Sequence, residues 1–513
     1  MHKKLSLFIC CVIASLSLYG QAHKCGTTGA EVMQRLLRNK QALIDNPISP
    51  REIRYIPVKF HIVSKTDGTG GVAEAQVFDM LCTANEDFAE LEMQFYIKDG
   101  EFNYINNDAI HNLILDSNHP QSTVNPLIIQ NIMNSNRDFA ALNVYMVRDI
   151  ILNANNTGNV LGFYSNDRDW VVMLNNEVRS SSITLTHELG HFFSLPHPFN
   201  GWESDPYDPD RHGNPVQPNS PGFNATEKMD GSNCTFAGDE ICDTPPDYNF
   251  AGISCNWTEE ILDPDGTLVN PEEKLTMGYF PCDKDDYFFS EMQKQLMIQD
   301  LASSARNYLT TDPNLVTTVL EANTELVFPD NNEQLTYYQG LELEWTAVPG
   351  ATQYLVELDR LPTFVFQKQS FYVRDANFLE LNNLEANKKY YWRVKPYNDY
   401  STCQPFTLAK SFTTGENPTA VQDIDFVSKW VLSPNPLTSN QDINLAFAAE
   451  KAFQGNIRFF NLSGQALGQA QQYNFKAGQN RLAIPVPNLQ NGVYLLMLQT
   501  NEGVRTERIL VSR

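Results

Sequence analysis

The chain has 513 residues, 61 Asp and Glu against 37 Lys and Arg, and a formal net charge of −24. A surplus of that sign argues against a nucleic-acid surface, which needs clustered Lys and Arg, and against an anionic membrane face. With 42% hydrophobic residues the chain can bury several cores, while nine cysteines suit local staples rather than a disulfide scaffold.

Taken in order, the chain opens on Met1 and a Lys3-Lys4 pair, an apolar run from Leu5 to Leu18, and a small-residue exit ending at Ala22. That layout predicts a secretory signal peptide over 1–22; an apolar run of about 14 residues is too short to span a bilayer, so no membrane span is expected in the mature protein. Residues 23–53 are polar and partly helical, from Glu31 to Leu43, and end at Pro47 and Pro50. From Tyr55 the alternation of Ile56, Val58, Phe60 and Ile62 predicts a strand, followed by a helix over 75–94 and strands at 142–147 and 170–174. Helical spacing returns at 181–195. Residues 200–275 are rich in Gly, Pro, Asn and Asp without periodicity, and a closing helix is expected over 291–309.

The charge follows the same division. Residues 54–310 hold roughly 38 acids and 14 bases, which is the whole formal excess, whereas 428–513 is mildly basic. Beyond a linker at 313–333, strands alternate at Leu341–Trp345, Tyr354–Leu358 and Tyr390–Val394, and a last strand-rich module fills 428–513.

Residues 187–197 read His-Glu-Leu-Gly-His-Phe-Phe-Ser-Leu-Pro-His. Positions i and i+4 share a helix face, so His187 and His191 can present two imidazoles to one metal, with Glu188 beside them to polarise a water. Pro196 bars a regular continuation, and His197 can return as a third ligand, which leaves a fourth position open, as in catalytic rather than structural zinc.

This stretch resembles the metzincin zinc peptidases, within them the pappalysin or cytophagalysin group. The resemblance implies an α+β metzincin-like catalytic domain over 54–312, followed by two all-β sandwich domains. It implies a zinc-dependent endopeptidase acting on protein or peptide substrates, with Glu188 as general base. The family places Gly where this chain has Ser194; Ser in that left-handed position costs about 1 kcal/mol. Leu275-Thr-Met277-Gly-Tyr279 resembles the family's Met-turn, with Met277 beneath the metal and Tyr279 stabilising the oxyanion. Gly238-Asp-Glu-Ile-Cys-Asp-Thr-Pro245 resembles a segment that helps hold calcium, which implies Asp239, Asp243 and Thr244 as Ca²⁺ ligands. Cys25 resembles the propeptide cysteine that ligates zinc in the latent form, so 23–53 is expected to be a propeptide.

Cys234, Cys242, Cys255 and Cys282 fall in or beside the long polar run and are expected to form two disulfides of open connectivity. Cys82 and Cys403 are expected in different domains, as buried free thiols. Asp283, Asp285 and Asp286 follow Tyr279, where they could favour Arg or Lys after the scissile bond.

Residues 334–416 resemble a fibronectin type III sandwich, with Leu384, Tyr390, Trp392 and Val394 in the manner of its tyrosine corner. Residues 428–513, with Ser433-Pro-Asn-Pro436, Leu462-Ser-Gly464 and Gly492-Val-Tyr494, resemble the C-terminal sorting domain of type IX secretion cargo. That implies a bacterial protein, secreted or held at the cell surface, with the type IX machinery as partner. The competing expectation is a non-catalytic, metal-containing binding or adhesion protein.

Overall fold

The computed structural model describes residues 25–27, 29–48, 52–152, 160–250, 255–417, 424–438, 441–462, 465–500 and 503–512. The signal peptide expected over 1–22 and Ser463-Gly464 of the tail lie outside the described residues. Two compact units result. The first comprises residues up to 323 with 348–354 and 396–405; the second comprises 324–347, 355–395 and 406–513.

The first unit begins with α1 (Gly29–Asp45), β1 (Arg54–Ser64), α2 (Glu74–Asp87), β2 (Met93–Ile97), β3 (Asn103–Asn106), α3 (Asp108–His111) and β4 (Asn112–Ile114). It continues with α4 (Pro126–Ser135), β5 (Leu142–Val147), β6 (Asp149–Ile151), β7 (Gly162–Ser165), β8 (Trp170–Leu174), α5 (Thr184–Phe192), α6 (Pro209–His212) and α7 (Glu291–Leu301). The main sheet has the order β2-β1-β5-β8-β7, and β3 also pairs with β1. Its strands are parallel except β7, which runs antiparallel to β8 at the edge. β5 is buried at every position, as a central parallel strand covered on both faces must be. One apolar cluster joins Tyr145, Val147, Trp170 and Val172 of the sheet to Ile110, Ile129 and Met133 of α3 and α4. α5 is buried at all nine positions, the mark of a helix enclosed on every side.

The polar run at 200–275 has more internal apolar support than its composition implied. Phe199, Trp202, Tyr248, Phe250, Val269, Tyr279 and Phe280 pack into one cluster, and Trp257 packs against it. These residues are too widely spaced to produce a periodic signal. Cys234–Cys242 and Cys255–Cys282 staple the segment.

Cys82 and Cys403 form a disulfide, contrary to the expectation of two free thiols. The expectation put Cys403 in the strand-rich module, but residues 396–405 belong to the first unit, where Cys403 reaches α2. Among the described residues Cys25 is free.

The second unit is all β. Three strands at Leu326–Phe328, Leu341–Trp345 and Phe378–Leu381 form one sheet. The first of these falls inside the stretch read as linker. Five strands, among them Gln353–Asp359, Lys389–Tyr397 and Lys410–Thr413, form another. Tyr390 is buried and its hydroxyl accepts the Glu385 N–H at 3.0 Å, which is tyrosine-corner geometry. The last module has sheets of three and four antiparallel strands around a core that includes Leu445, Phe447, Ile457, Leu496 and Ile509. No helix of the described residues is long and apolar enough to cross a membrane.

Candidate metal centre and its leader segment

α5 places His187 and His191 on one face, one turn apart. The helix then ends in a Schellman turn. Leu195 N–H donates to the Gly190 carbonyl and Ser194 N–H to the His191 carbonyl, both at 2.9 Å. Ser194 occupies the left-handed position at φ +72°, so the turn of the resembled family is kept at the strain Ser incurs there. The reversal brings His197 back onto the helix face. Its Nε2 lies 3.3 Å from that of His187 and 3.1 Å from that of His191.

The outer ring nitrogens set the tautomers. His187 Nδ1 donates to the Thr276 carbonyl and His191 Nδ1 to the Leu195 carbonyl, each at 2.7 Å. Protons on Nδ1 leave the Nε2 lone pairs converging on one point. Burial, reinforced by the other imidazoles, holds His191 well below the ordinary imidazole range, and burial lowers His197, so both are neutral ligands. The three Nε2 atoms and the Cys25 thiol lie close enough together to hold one metal ion. The spacing of the nitrogens is close to the tetrahedral edge of about 3.3 Å set by Zn–N bonds of about 2.0–2.1 Å. Zinc fits this donor set.

Met277 is fully buried, and a Cβ on Gly190 would stand 2.3 Å from its sulfur. Met277 thus packs directly against α5, and Gly190 is the residue that admits it. Two residues on, the Tyr279 ring lies 5.0 Å from that of His197.

Glu188 is 1% exposed, and burial pushes its carboxyl up to about 8, eased by hydrogen bonds from Cys25 and Thr27. Cys25 Sγ lies 3.3 Å from Glu188 Oε2, and it completes a group with the three imidazoles whose donor atoms all fall within 4.8 Å of one another. Burial and the Glu188 charge push the thiol up; a cation at the imidazoles would reverse that, because it favours thiolate.

The Cys25 strand segment is clamped on both sides. Cys25 N–H donates to the Tyr279 hydroxyl at 2.8 Å, and that hydroxyl lies 3.1 Å from the Cys25 carbonyl. Gly26 N–H donates to Gly162 of edge strand β7 at 2.9 Å, and Thr27 Oγ1 accepts the Tyr164 N–H at 2.7 Å. The leader therefore lies along the sheet edge. α1 then packs against α7. Arg35 pairs with Asp300 at 2.8 Å, donates to Tyr164 Oη at 2.8 Å, and also bonds the Phe192 carbonyl. Asn39 donates to Ser194 Oγ and to Asp300, both at 2.8 Å, and Lys40 donates to the Glu240 carbonyl at 2.7 Å.

The calcium expectation divides. Asp239 is fully buried and accepts Thr244 Oγ1 at 2.9 Å and Ile241 N–H at 2.9 Å, so these two expected ligands do meet. Asp243 instead accepts Ser290 Oγ at 2.6 Å and Met292 N–H at 2.7 Å, at the N-terminus of α7. Burial pushes Glu227 and Asp239 well above the carboxylate range, with the Asp239 charge adding to the rise at Glu227 and the Asp243 charge adding to it at Asp239. Glu227 carried no motif, and only its neighbour in space reveals it. Asp285 pairs with Lys284 and Asp286 with Lys274, while Asp283 is exposed. Glu203 escaped the motif reading too; its carboxylate lies 4.0 Å from His197 Nδ1.

Three convergent imidazoles beside the edge strand β7, on a chain that continues into β modules, define a protein with a candidate metal centre. Residues 432–512 match the secretion system C-terminal sorting domain, which marks the chain as secreted or cell-surface and bacterial. The chain is similar to an extracellular metalloprotease of Colletotrichum graminicola, 26% identical over 218 residues. That alignment takes in 37% of this chain and 57% of the relative's length. Among solved structures, a promirolysin of Tannerella forsythia aligns at 16% identity over 56% of this chain and 97% of its own, with a TM-score of 0.35. Fibronectin(III)-like modules of Clostridium thermocellum CbhA align at 8% identity over 37% of this chain and 92% of their own, with a TM-score of 0.18.

Proposed function

We propose that this chain is a secreted zinc endopeptidase of the pappalysin-like metzincin type, with the catalytic domain over 54–312. The observation that carries the reading is the convergence of the His187, His191 and His197 Nε2 atoms at 3.1–3.3 Å beside a buried Glu188. Zinc held by these three imidazoles would polarise a scissile carbonyl and acidify the attacking water. Glu188 takes the water's proton and returns it to the leaving amine; its carboxyl, raised by burial, suits both directions of transfer. Tyr279 is the hydrogen-bond donor for the oxyanion, on the strength of a hydroxyl that already binds backbone in the cleft. β7 is the edge along which an extended peptide would pair, and the leader's bond to Gly162 supports that.

The leader keeps the enzyme latent. Cys25 takes the open ligand position while Thr27 engages Glu188, so removing 23–53 frees metal and base together. Calcium held around Asp239, Asp243 and Thr244 would relieve the buried Glu227–Asp239 repulsion and fix the polar segment.

The test is casein or peptide cleavage by protein processed past residue 53, with and without chelator, beside Glu188→Ala. Cleavage that is lost on chelation, restored by zinc and abolished in Glu188→Ala is expected. A processed form that cleaves nothing under any metal condition refutes the peptidase and favours a binding protein.

A further inference from the structure

Two of the three imidazoles have their outer nitrogen fixed by a backbone carbonyl. The third does not. His197 is fully buried, and its Nδ1 has no hydrogen-bond partner among the described residues. What faces it is a carboxylate: Glu203 Oε1 stands 4.0 Å away. We propose that Glu203 is the positioning partner of His197, its charge holding this imidazole in the ligating tautomer and raising its basicity toward zinc. The proposal rests on the zinc reading above.

The chain between the two residues is folded to produce this approach. Asn200 N–H donates to the His197 carbonyl at 3.0 Å and Trp202 N–H to that of Phe199 at 2.9 Å, giving two successive turns. Gly201 sits at φ +94°, and a Cβ there would meet Ser220 Oγ at 2.6 Å, so the reversal needs glycine. Gly201 N–H then donates to Glu203 Oε2 at 2.8 Å, which pins the carboxylate with its other oxygen toward the ring. The ring is itself fixed, stacked on Phe199 at 4.5 Å and 10°.

At 4.0 Å the carboxylate is an ion-pair neighbour rather than a hydrogen-bond acceptor, so its effect on the ring is electrostatic. A histidine ligand normally gives its outer N–H to a carboxylate, carbonyl or water, and losing that partner weakens metal affinity 10- to 100-fold. Glu203 is the one candidate for that role at His197 among the described residues.

Glu203→Gln isolates the charge, because it keeps the size of the side chain and an acceptor for Gly201 N–H. The full chain, stripped of metal, is titrated with zinc against a chromophoric chelator, and the melting temperature of the metal-free form is recorded in parallel. The expected result is zinc binding weaker by about tenfold with the metal-free melting temperature unchanged. Affinity within twofold of the parent overturns the proposal. So does a fall in metal-free stability equal to the fall in the loaded form, which makes Glu203 merely structural. A parent chain that takes up no zinc overturns the metal reading itself, and is distinguished from the other two outcomes by the parent titration alone.

Discussion

Removing the Arg35 side chain should loosen the leader without touching a metal ligand. The guanidinium is 11% exposed and Asp300 1% exposed. Truncating one partner of a buried pair costs roughly 3–5 kcal/mol when the other is stranded. Asp300 is not stranded, because it keeps Arg306 Nε at 2.9 Å and Asn39 Nδ2 at 2.8 Å. The loss then falls to that of charge-assisted hydrogen bonds, about 1.5–3 kcal/mol. At about 1.4 kcal/mol per decade, Arg35→Ala should weaken leader binding roughly 10- to 150-fold. On the proposed reading, the assay is inhibition of the processed chain's peptidase activity by an added peptide of residues 23–53, parent against variant. An inhibition constant within twofold of the parent would show that α1 docks through something other than this pair.

Four further outcomes are expected. The double variant Cys82→Ser, Cys403→Ser should lower stability by about 2–5 kcal/mol, read as a fall in denaturant midpoint, since the bridge spans a sequence separation of 321. His61 is buried between Asn143 and Asn103 and is lowered from its ordinary 6.5 to about 4, with burial the main cause. Its contribution is present above pH 6.5 and lost as pH falls toward 4, roughly 3 kcal/mol over that window, and His61→Gln should flatten that part of a stability-against-pH curve. Gly190→Ala gains about 1 kcal/mol of helix propensity but forces a Cβ to within 2.3 Å of Met277 Sδ, so net destabilisation of about 1–2 kcal/mol is expected in urea unfolding. On the proposed reading, a peptide-library digest should show cuts before Arg and Lys that relax in Asp283→Asn; cuts indifferent to charge end that idea.

The legibility of the chain divides along physical lines. His187, His191 and Glu188 could be read because helix periodicity and ligand chemistry are both local, and Pro196 announced the turn that returns His197. Met277 and Tyr279 stand out through the resemblance of their phrase, and the paired strands of the tail through alternation and turns. Cys403 escaped because it falls within the span of the strand-rich module, whereas the fold sends 396–405 to the first unit. Asp243 is a cation ligand by resemblance, whereas its contact with the Met292 N–H that opens α7 is one that only three dimensions display. Arg35, Asp300 and Arg306 meet across separations no local pattern encodes. Glu203 is close in sequence to His197, yet its role depends on a turn made by Gly201 that periodicity cannot register.

Ser194 ties the leader to the turn that carries His197. While α1 is docked, Asn39 supplies the hydroxyl with a donor, and that bond offsets part of the strain of a left-handed serine. On the proposed reading, removal of the leader takes that donor away and leaves the left-handed serine to solvent in the turn that carries His197. Maturation would then exchange a protein brace for water at the bend that holds the proposed third ligand.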